Sequence, residues 1–165
     1  MENSVLKREK TEGITSYFEK DHDRLDSLFK EFQRLKYVDF LEAKKNFIAF
    51  KFGLQRHIIW EEEVLFPLFE KKTGMSNAGP TFVMRLEHKD IGKILEEIHT
   101  KVKEADPRSE HQEELLISTL KLHNMKEENV LYPAIDQCTT KTEIEEVFEK
   151  INSIPEERYQ TCCSS

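Results

Sequence analysis

Apolar residues recur at three- and four-residue spacing along most of this chain, and the stripes they form predict helices rather than strands. The first runs from Ile14 to Leu35 on Ile14, Phe18, His22, Leu25, Phe29 and Phe32. The second starts at Asp39, where Asp39-x-x-Glu42 reads as a cap, and carries Phe47, Phe50, Leu54, His57, Glu61, Val64 or Leu65, and Leu68. Lys71, Lys72 and Gly74 close it. Gly79-Pro80 opens the third, with Met84, His88, Ile91, Leu95, Ile98 and Val102 on one face, and Asp106-Pro107 ends it. Ser109-x-x-Gln112 caps the fourth, striped by Leu116, Leu120, His123, Glu127, Val130 or Leu131, and Ala134. Pro67 and Pro133 are expected to kink or end the second and fourth helices. Thr140-x-x-Glu143 caps a short fifth helix on Ile144, Val147, Phe148 and Ile151. The predicted fold is all-α: an up-down-up-down four-helix bundle with a short fifth C-terminal helix. Residues 1–13 are expected to form a flexible N-terminus, 14–152 the domain, and 153–165 a loose tail.

Two polar residue types interrupt the stripes in a repeated frame. His22 is followed 35 residues later by His57 and then by Glu61; His88 is followed 35 later by His123 and then by Glu127. The second set is the first shifted by 66. Each H-x-x-x-E step puts both side chains on one helix face, a turn apart. Heights along the bundle agree. The chain descends roughly 20 Å from His22 to Leu35 and climbs roughly 27 Å from Asp39 to His57, and the second half behaves likewise. Short loops therefore bring all six side chains to one inward-facing layer.

Composition supports a single domain. The chain has 165 residues, of which 38% are hydrophobic and 35% charged, with five Gly and five Pro. That balance suits amphipathic helices, and eleven Phe against one Trp predict a Phe-rich interior. A net charge of −7 argues against nucleic acid or an anionic membrane as partner. No apolar run approaches the roughly 18 residues of a membrane span, and the polar start shows no secretory signal. Cys138, Cys162 and Cys163 follow no disulfide framework, which points to a reducing cytoplasm. The terminal Cys162-Cys163-Ser164-Ser165 lacks the aliphatic positions and basic flank of a prenylation signal.

Four imidazoles and two carboxylates in one buried layer are the ligand set of a two-metal centre in a helical bundle. A carboxylate buried without a partner costs several kcal/mol or takes up a proton. Cations remove that cost. Nitrogen and oxygen donors without thiolate suit iron; manganese also fits, and zinc fits less well.

These residues resemble the hemerythrin-like, or HHE cation-binding, family. The likeness covers about Ile14 to Gln137 and rests on Asp21-His22, Glu87-His88, and the string H-x-x-x-E-E-x-V-L-[FY]-P, present from His57 to Pro67 and, with Glu128 followed by Asn, from His123 to Pro133. The resemblance implies a non-haem di-iron centre, oxo- or hydroxo-bridged. His22 and His57 would serve one iron and His88 and His123 the other, with Glu61 and Glu127 as bridges. The oxygen-carrying hemerythrins have a fifth His four residues on in the third helix and an aspartate bridge in the fourth. Here those places hold Gly92 and Glu127, closer to bacterial hemerythrin-like proteins and to di-iron proteins that repair iron–sulfur centres. Gly92 is expected to leave room for water or a small ligand beside the metals.

The other polar residues carry plainer expectations. Glu62, Glu63 and Glu128 are expected to face solvent, and His99 and His111 to lie at the surface. Asp21 and Glu87 are read either as groups that orient ligands or as surface carboxylates. Trp60, Phe66 and Tyr132 are read as packing. The function expected is a cytoplasmic di-iron protein that binds a small molecule (O2, NO or peroxide) in sensing, storage or stress response. An iron-donating or iron–sulfur repair factor, and a di-iron peroxidase or oxidase, are the alternatives. No catalytic residue or protein partner is legible.

Overall fold

A computed structural model describes residues 7–9 and 12–160, and all regular structure among them is helical. Helix α1 is Ile14–Leu35, α2 is Phe40–Trp60, α3 is Phe66–Thr73, α4 is Pro80–Lys103, α5 is Glu110–Lys126, α6 is Tyr132–Cys138, α7 is Lys141–Ser153 and α8 is Glu157–Gln160. Most expected boundaries hold for local reasons. Asp39 accepts from Glu42 N–H, Thr140 and Glu143 form a reciprocal capping box, and Gly74 ends α3 at a left-handed φ of 73°. Ser109 differs: its hydroxyl donates to Glu113 rather than capping α5. The start of α1 is capped from a distance. Asp136 accepts from the N–H groups of Ile14 and Thr15, and a Cβ at Gly13 would meet Asp136 Oδ1 at 2.9 Å.

Pro67 and Pro133 do not end the helical path; each lies just past a π turn, near the start of a further helix. Glu61–Leu65 joins α2 to α3, and Glu127–Leu131 joins α5 to α6, each as a five-residue π turn. Phe66 N–H bonds to Glu61 O, and Tyr132 N–H to Glu127 O. A proline ring in an α-helix clashes with the carbonyl four residues back and lacks the N–H that would bond to it. One extra residue in the turn relieves the clash. It also moves the buried stripe by one position: Phe69 and Ile135 are buried, where Leu68 and Ala134 were expected and are only half-buried.

Side-chain pairings give the packing. His22 lies against His57, Phe29 against Phe50 and Phe32 against Phe47, so α1 and α2 run antiparallel. Lys51 pairs with Glu96, Glu62 with His88 and Glu70 with Arg85, the same relation between the α2–α3 arm and α4. The core is in two parts. Leu25, Phe29, Phe47, Phe50, Ile91, Ile98 and Leu116 fill one end. Phe18, Trp60, Phe66, Met84, Leu131, Tyr132 and Phe148 fill the other. The polar frame lies between them.

The stretch after Ser153, expected to be loose, returns to the bundle as far as it is described. Tyr159 is buried and accepts a hydrogen bond from Trp60 Nε1 at 2.7 Å. Cys138 is a free thiol; Cys162, Cys163 and the end of the expected tail lie outside the described residues. Among the described residues no helix is long and apolar enough to cross a membrane.

Candidate metal centre

All six residues of the repeated frame meet in one buried layer. His22, His57, His88 and His123 are at most 5% exposed, and Glu61 and Glu127 are fully buried. Two overlapping groups have ligand atoms close enough to hold an ion: His22, His57 and Glu127, and Glu61, His88, His123 and Glu127. Within the layer, His123 Nε2 stands 3.0 Å from Glu127 Oε1 and His22 Nε2 3.5 Å from the same oxygen. His57 Nε2 stands 3.3 Å and His88 Nε2 3.6 Å from Glu61 Oε1.

Every imidazole is gripped from behind. His57 Nδ1 donates to Asp21 at 2.8 Å and His123 Nδ1 to Glu87 at 2.7 Å. These carboxylates sit one residue before His22 and His88, so each helix that supplies one histidine also orients its neighbour's. His22 Nδ1 donates to Glu128 at 2.8 Å and His88 Nδ1 to Glu62 at 2.9 Å. Glu62 and Glu128, expected to face solvent, thus hold histidines; a carboxylate adjacent to each candidate bridge reaches across to the other half. With Nδ1 committed, Nε2 of each ring is the atom turned toward the interior. That is the usual outer-sphere arrangement of a metal-binding histidine.

Charges in the layer are strongly perturbed. Burial, together with the Glu127 charge, pushes the Glu61 carboxyl well above its ordinary range. Burial acts on Glu127 in the same direction, but the neighbouring Glu61 carboxyl, His123 and His22 hold it well below. The two neighbouring carboxyls are thus pushed in opposite directions. Burial and the neighbouring His22 push His57 down. Burial also opposes the charge on His22, yet Glu127 and Glu128 outweigh it and raise that ring to about 9. Burial likewise works against ionisation of Asp21, but the His57 N–H and nearby Arg24 and Arg56 bring it to about 2.

The donor set fits cations. Glu61 Oε1, both Glu127 oxygens and His88 Nε2 are buried without a hydrogen-bond partner. Buried polar groups are seldom left so, and several converging on one point call for a positive charge. The chamber between them is about 10 Å³, on the scale of a single water-sized sphere. It suits ions and very small ligands, not an organic substrate. Beside it, a groove of about 390 Å³ between α1 and α5 reaches His22, Asn124 and Glu128.

Three other expectations change. Gly92 does not border the chamber, which takes His88 and Ile91 from α4; a Cβ on Gly92 would meet open space. His99 is buried rather than exposed, set beside Phe47 and Glu96, while His111 is exposed as expected. Tyr132, read as packing, places its hydroxyl inside the ligand layer, 3.1 Å from both His57 Nε2 and Glu61 Oε2. In a regular α-helix, five residues after Glu127 would point about 140° away. The π turn brings Tyr132 back to the ligand face. The string of a bridging carboxylate with proline six residues on was the available sign of that turn.

Comparison with known proteins agrees with this geometry. The family model described as hemerythrin HHE cation binding domain matches residues 11–135. An iron-sulfur cluster repair protein YtfE from Edwardsiella ictaluri is 31% identical over 91 residues, covering 52% of this chain and 41% of the relative. Proteins of the same name from Citrobacter koseri and Escherichia coli O1:K1 are each 33% identical over 89 residues, covering 48% of this chain and 40% of the relative. The chain thus matches these relatives over about two-fifths of their length. No solved structure gives a significant match.

Proposed function

The chain belongs to the hemerythrin HHE cation-binding domain family, and from that premise we propose that it is a non-haem di-iron protein that binds O2, NO or peroxide in sensing, storage or stress response. The antiparallel pairings support an up-down-up-down four-helix bundle with α7 packed at one end. In this reading His22 and His57 hold one iron, His88 and His123 the other, and Glu61 and Glu127 bridge them. The observation that carries it is the orientation of the four rings. Each is fixed at Nδ1 by its own carboxylate and turns Nε2 toward two buried carboxylates, three of whose four oxygens lack a hydrogen-bond partner.

Bound irons would supply a redox-active centre for small ligands. The chain's own contributions are separable. Asp21, Glu62, Glu87 and Glu128 hold the rings in the tautomer that leaves Nε2 available. Phe18, Leu54, Ile91 and Leu120 wall the layer and limit water. Burial and the Glu127 charge raise the Glu61 carboxyl well above its ordinary range, which couples metal uptake there to release of a proton. Elemental analysis after anaerobic reconstitution tests the proposal. Two irons per chain are expected; a chain that takes up neither iron nor manganese rejects it.

The match to proteins named for iron-sulfur cluster repair supports a second reading, in which this chain gives up iron to damaged clusters. Mixing the iron-loaded chain with an apo cluster protein separates the two. Transfer of iron with cluster rebuilding favours repair. A stable adduct with O2 or NO and no transfer favours binding, and rapid peroxide consumption favours a peroxidase.

A further inference from the structure

The 66-residue repeat breaks at one chemically important place. Phe66 and Tyr132 are equivalent residues, each the first after its π turn. Their rings take equivalent positions: Phe66 lies 5.8 Å from His88, and Tyr132 lies 5.8 Å from His22. Only Tyr132 carries an oxygen. That oxygen is fully buried and stands 3.1 Å from His57 Nε2, 3.4 Å from His22 Nε2 and 3.1 Å from Glu61 Oε2.

Those separations have a simple geometric meaning. Adjacent vertices of an octahedron with metal–ligand bonds of about 2.1 Å lie about 3.0 Å apart. The imidazole and carboxylate atoms of the layer lie 3.0 to 3.6 Å from one another. By that measure Tyr132 Oη belongs to the same set.

We propose that Tyr132 binds, through its phenolate oxygen, the metal held by His22 and His57, whereas the half held by His88 and His123 leaves the equivalent position to an exogenous ligand. The proposal rests on the di-metal reading above. Forming the oxygen–metal bond releases the phenol proton to solvent, and nothing is oxidised or reduced in that step. The two metals are then inequivalent: one is closed by protein, and the other, beside Phe66, is open.

Spectroscopy of the full chain, loaded anaerobically with ferrous iron and then oxidised in air, tests this. A phenolate bound to ferric iron gives a broad visible charge-transfer band. Resonance Raman excitation within that band enhances tyrosine ring vibrations. The wild-type chain is expected to show both. Tyr132→Phe, which only copies what the other half already contains, is expected to keep the iron and lose both signals. Phe66→Tyr is expected to intensify the band by adding a second phenolate, and it keeps the test open should Tyr132→Phe fail to fold. Two irons per wild-type chain without ring vibrations overturn the proposal and leave the di-iron reading standing. So does a band that survives in iron-loaded Tyr132→Phe, or one unchanged in iron-loaded Phe66→Tyr. A wild-type chain that binds no iron overturns both.

Discussion

Glu128 accepts a hydrogen bond from His22 at 2.8 Å, tying the first helix of one half to the π turn of the other. Glu62 makes the same connection to His88 at 2.9 Å. These contacts interlock the halves at the level of the ligands. Glu128→Gln or Glu62→Gln is therefore expected to weaken metal binding by roughly 10- to 100-fold while leaving the helical fold intact. Competition with a chelator of known affinity measures this, and unchanged affinity in both variants would show that the carboxylates are only surface groups.

The two central carboxylates should respond differently to the same change. Burial and the Glu127 charge raise the Glu61 carboxyl well above its ordinary range, so the site favours a neutral group and Glu61→Gln supplies one. It should alter metal-free stability by less than about 1 kcal/mol. Glu127 is held well below its ordinary range, against its burial, by the Glu61 carboxyl, His123 and His22, so Glu127→Gln should destabilise the metal-free chain by roughly 1–3 kcal/mol. Both should lose metal. Urea unfolding with and without iron checks the contrast, and equal destabilisation by the two variants would contradict these opposed shifts.

Metal uptake should depend on pH. Burial disfavours the charged His22 ring, but Glu127 and Glu128 raise it from its ordinary 6.5 to about 9. In the metal-free chain this charge adds stability that is fully present below pH 6.5 and is lost as pH rises through about 9. Metal must displace the same proton, so apparent affinity should climb with pH up to about 9. At the acid end, Asp21 is held at about 2 against an ordinary 3.8, despite its burial, chiefly by His57. Its contribution is present above pH 3.8 and is lost as pH falls through about 2. Chelator-buffered titrations across pH 6 to 9 give the first slope. A flat profile would contradict it.

Gly92 lies in the interior of α4 with open space where a Cβ would stand. Gly92→Ala should raise stability by roughly 0.5–1 kcal/mol through helix propensity, without changing metal content. Thermal melts and metal analysis are sufficient. A loss of metal would return this position to the site.

The single tryptophan reports on the returning C-terminal segment. Trp60 donates to Tyr159, and Phe52 meets the same ring edge-on. Tyr159→Ala should cost about 2–4 kcal/mol and shift Trp60 fluorescence to the red as water enters. An unshifted spectrum with wild-type stability would mean that this turn of helix does not pack in solution.

The apolar stripes and the 66-residue frame were enough to predict an all-helical chain, most of its helix starts, and six residues in one layer. They suffice because helix periodicity is local: residues three and four apart share a face whatever surrounds them. Several expectations failed where a residue's role depended on one particular neighbour distant in the chain. Glu128 looks like a solvent residue until α1 is laid against it, and Asp136 shows no sign of capping a helix 122 positions earlier.

Tyr132 marks the boundary between the two kinds of information. Its sequence position, five after Glu127, points away from the site on any regular α-helix. Only the π turn, in which Pro133 escapes the carbonyl behind it by taking in an extra residue, rotates the hydroxyl to His57 and Glu61. The sequence by itself determined the types of the candidate ligands and their common height. The tertiary structure decided which carboxylate grips which ring and which half contains the phenol oxygen, because both depend on contacts across helices and on a one-residue register shift.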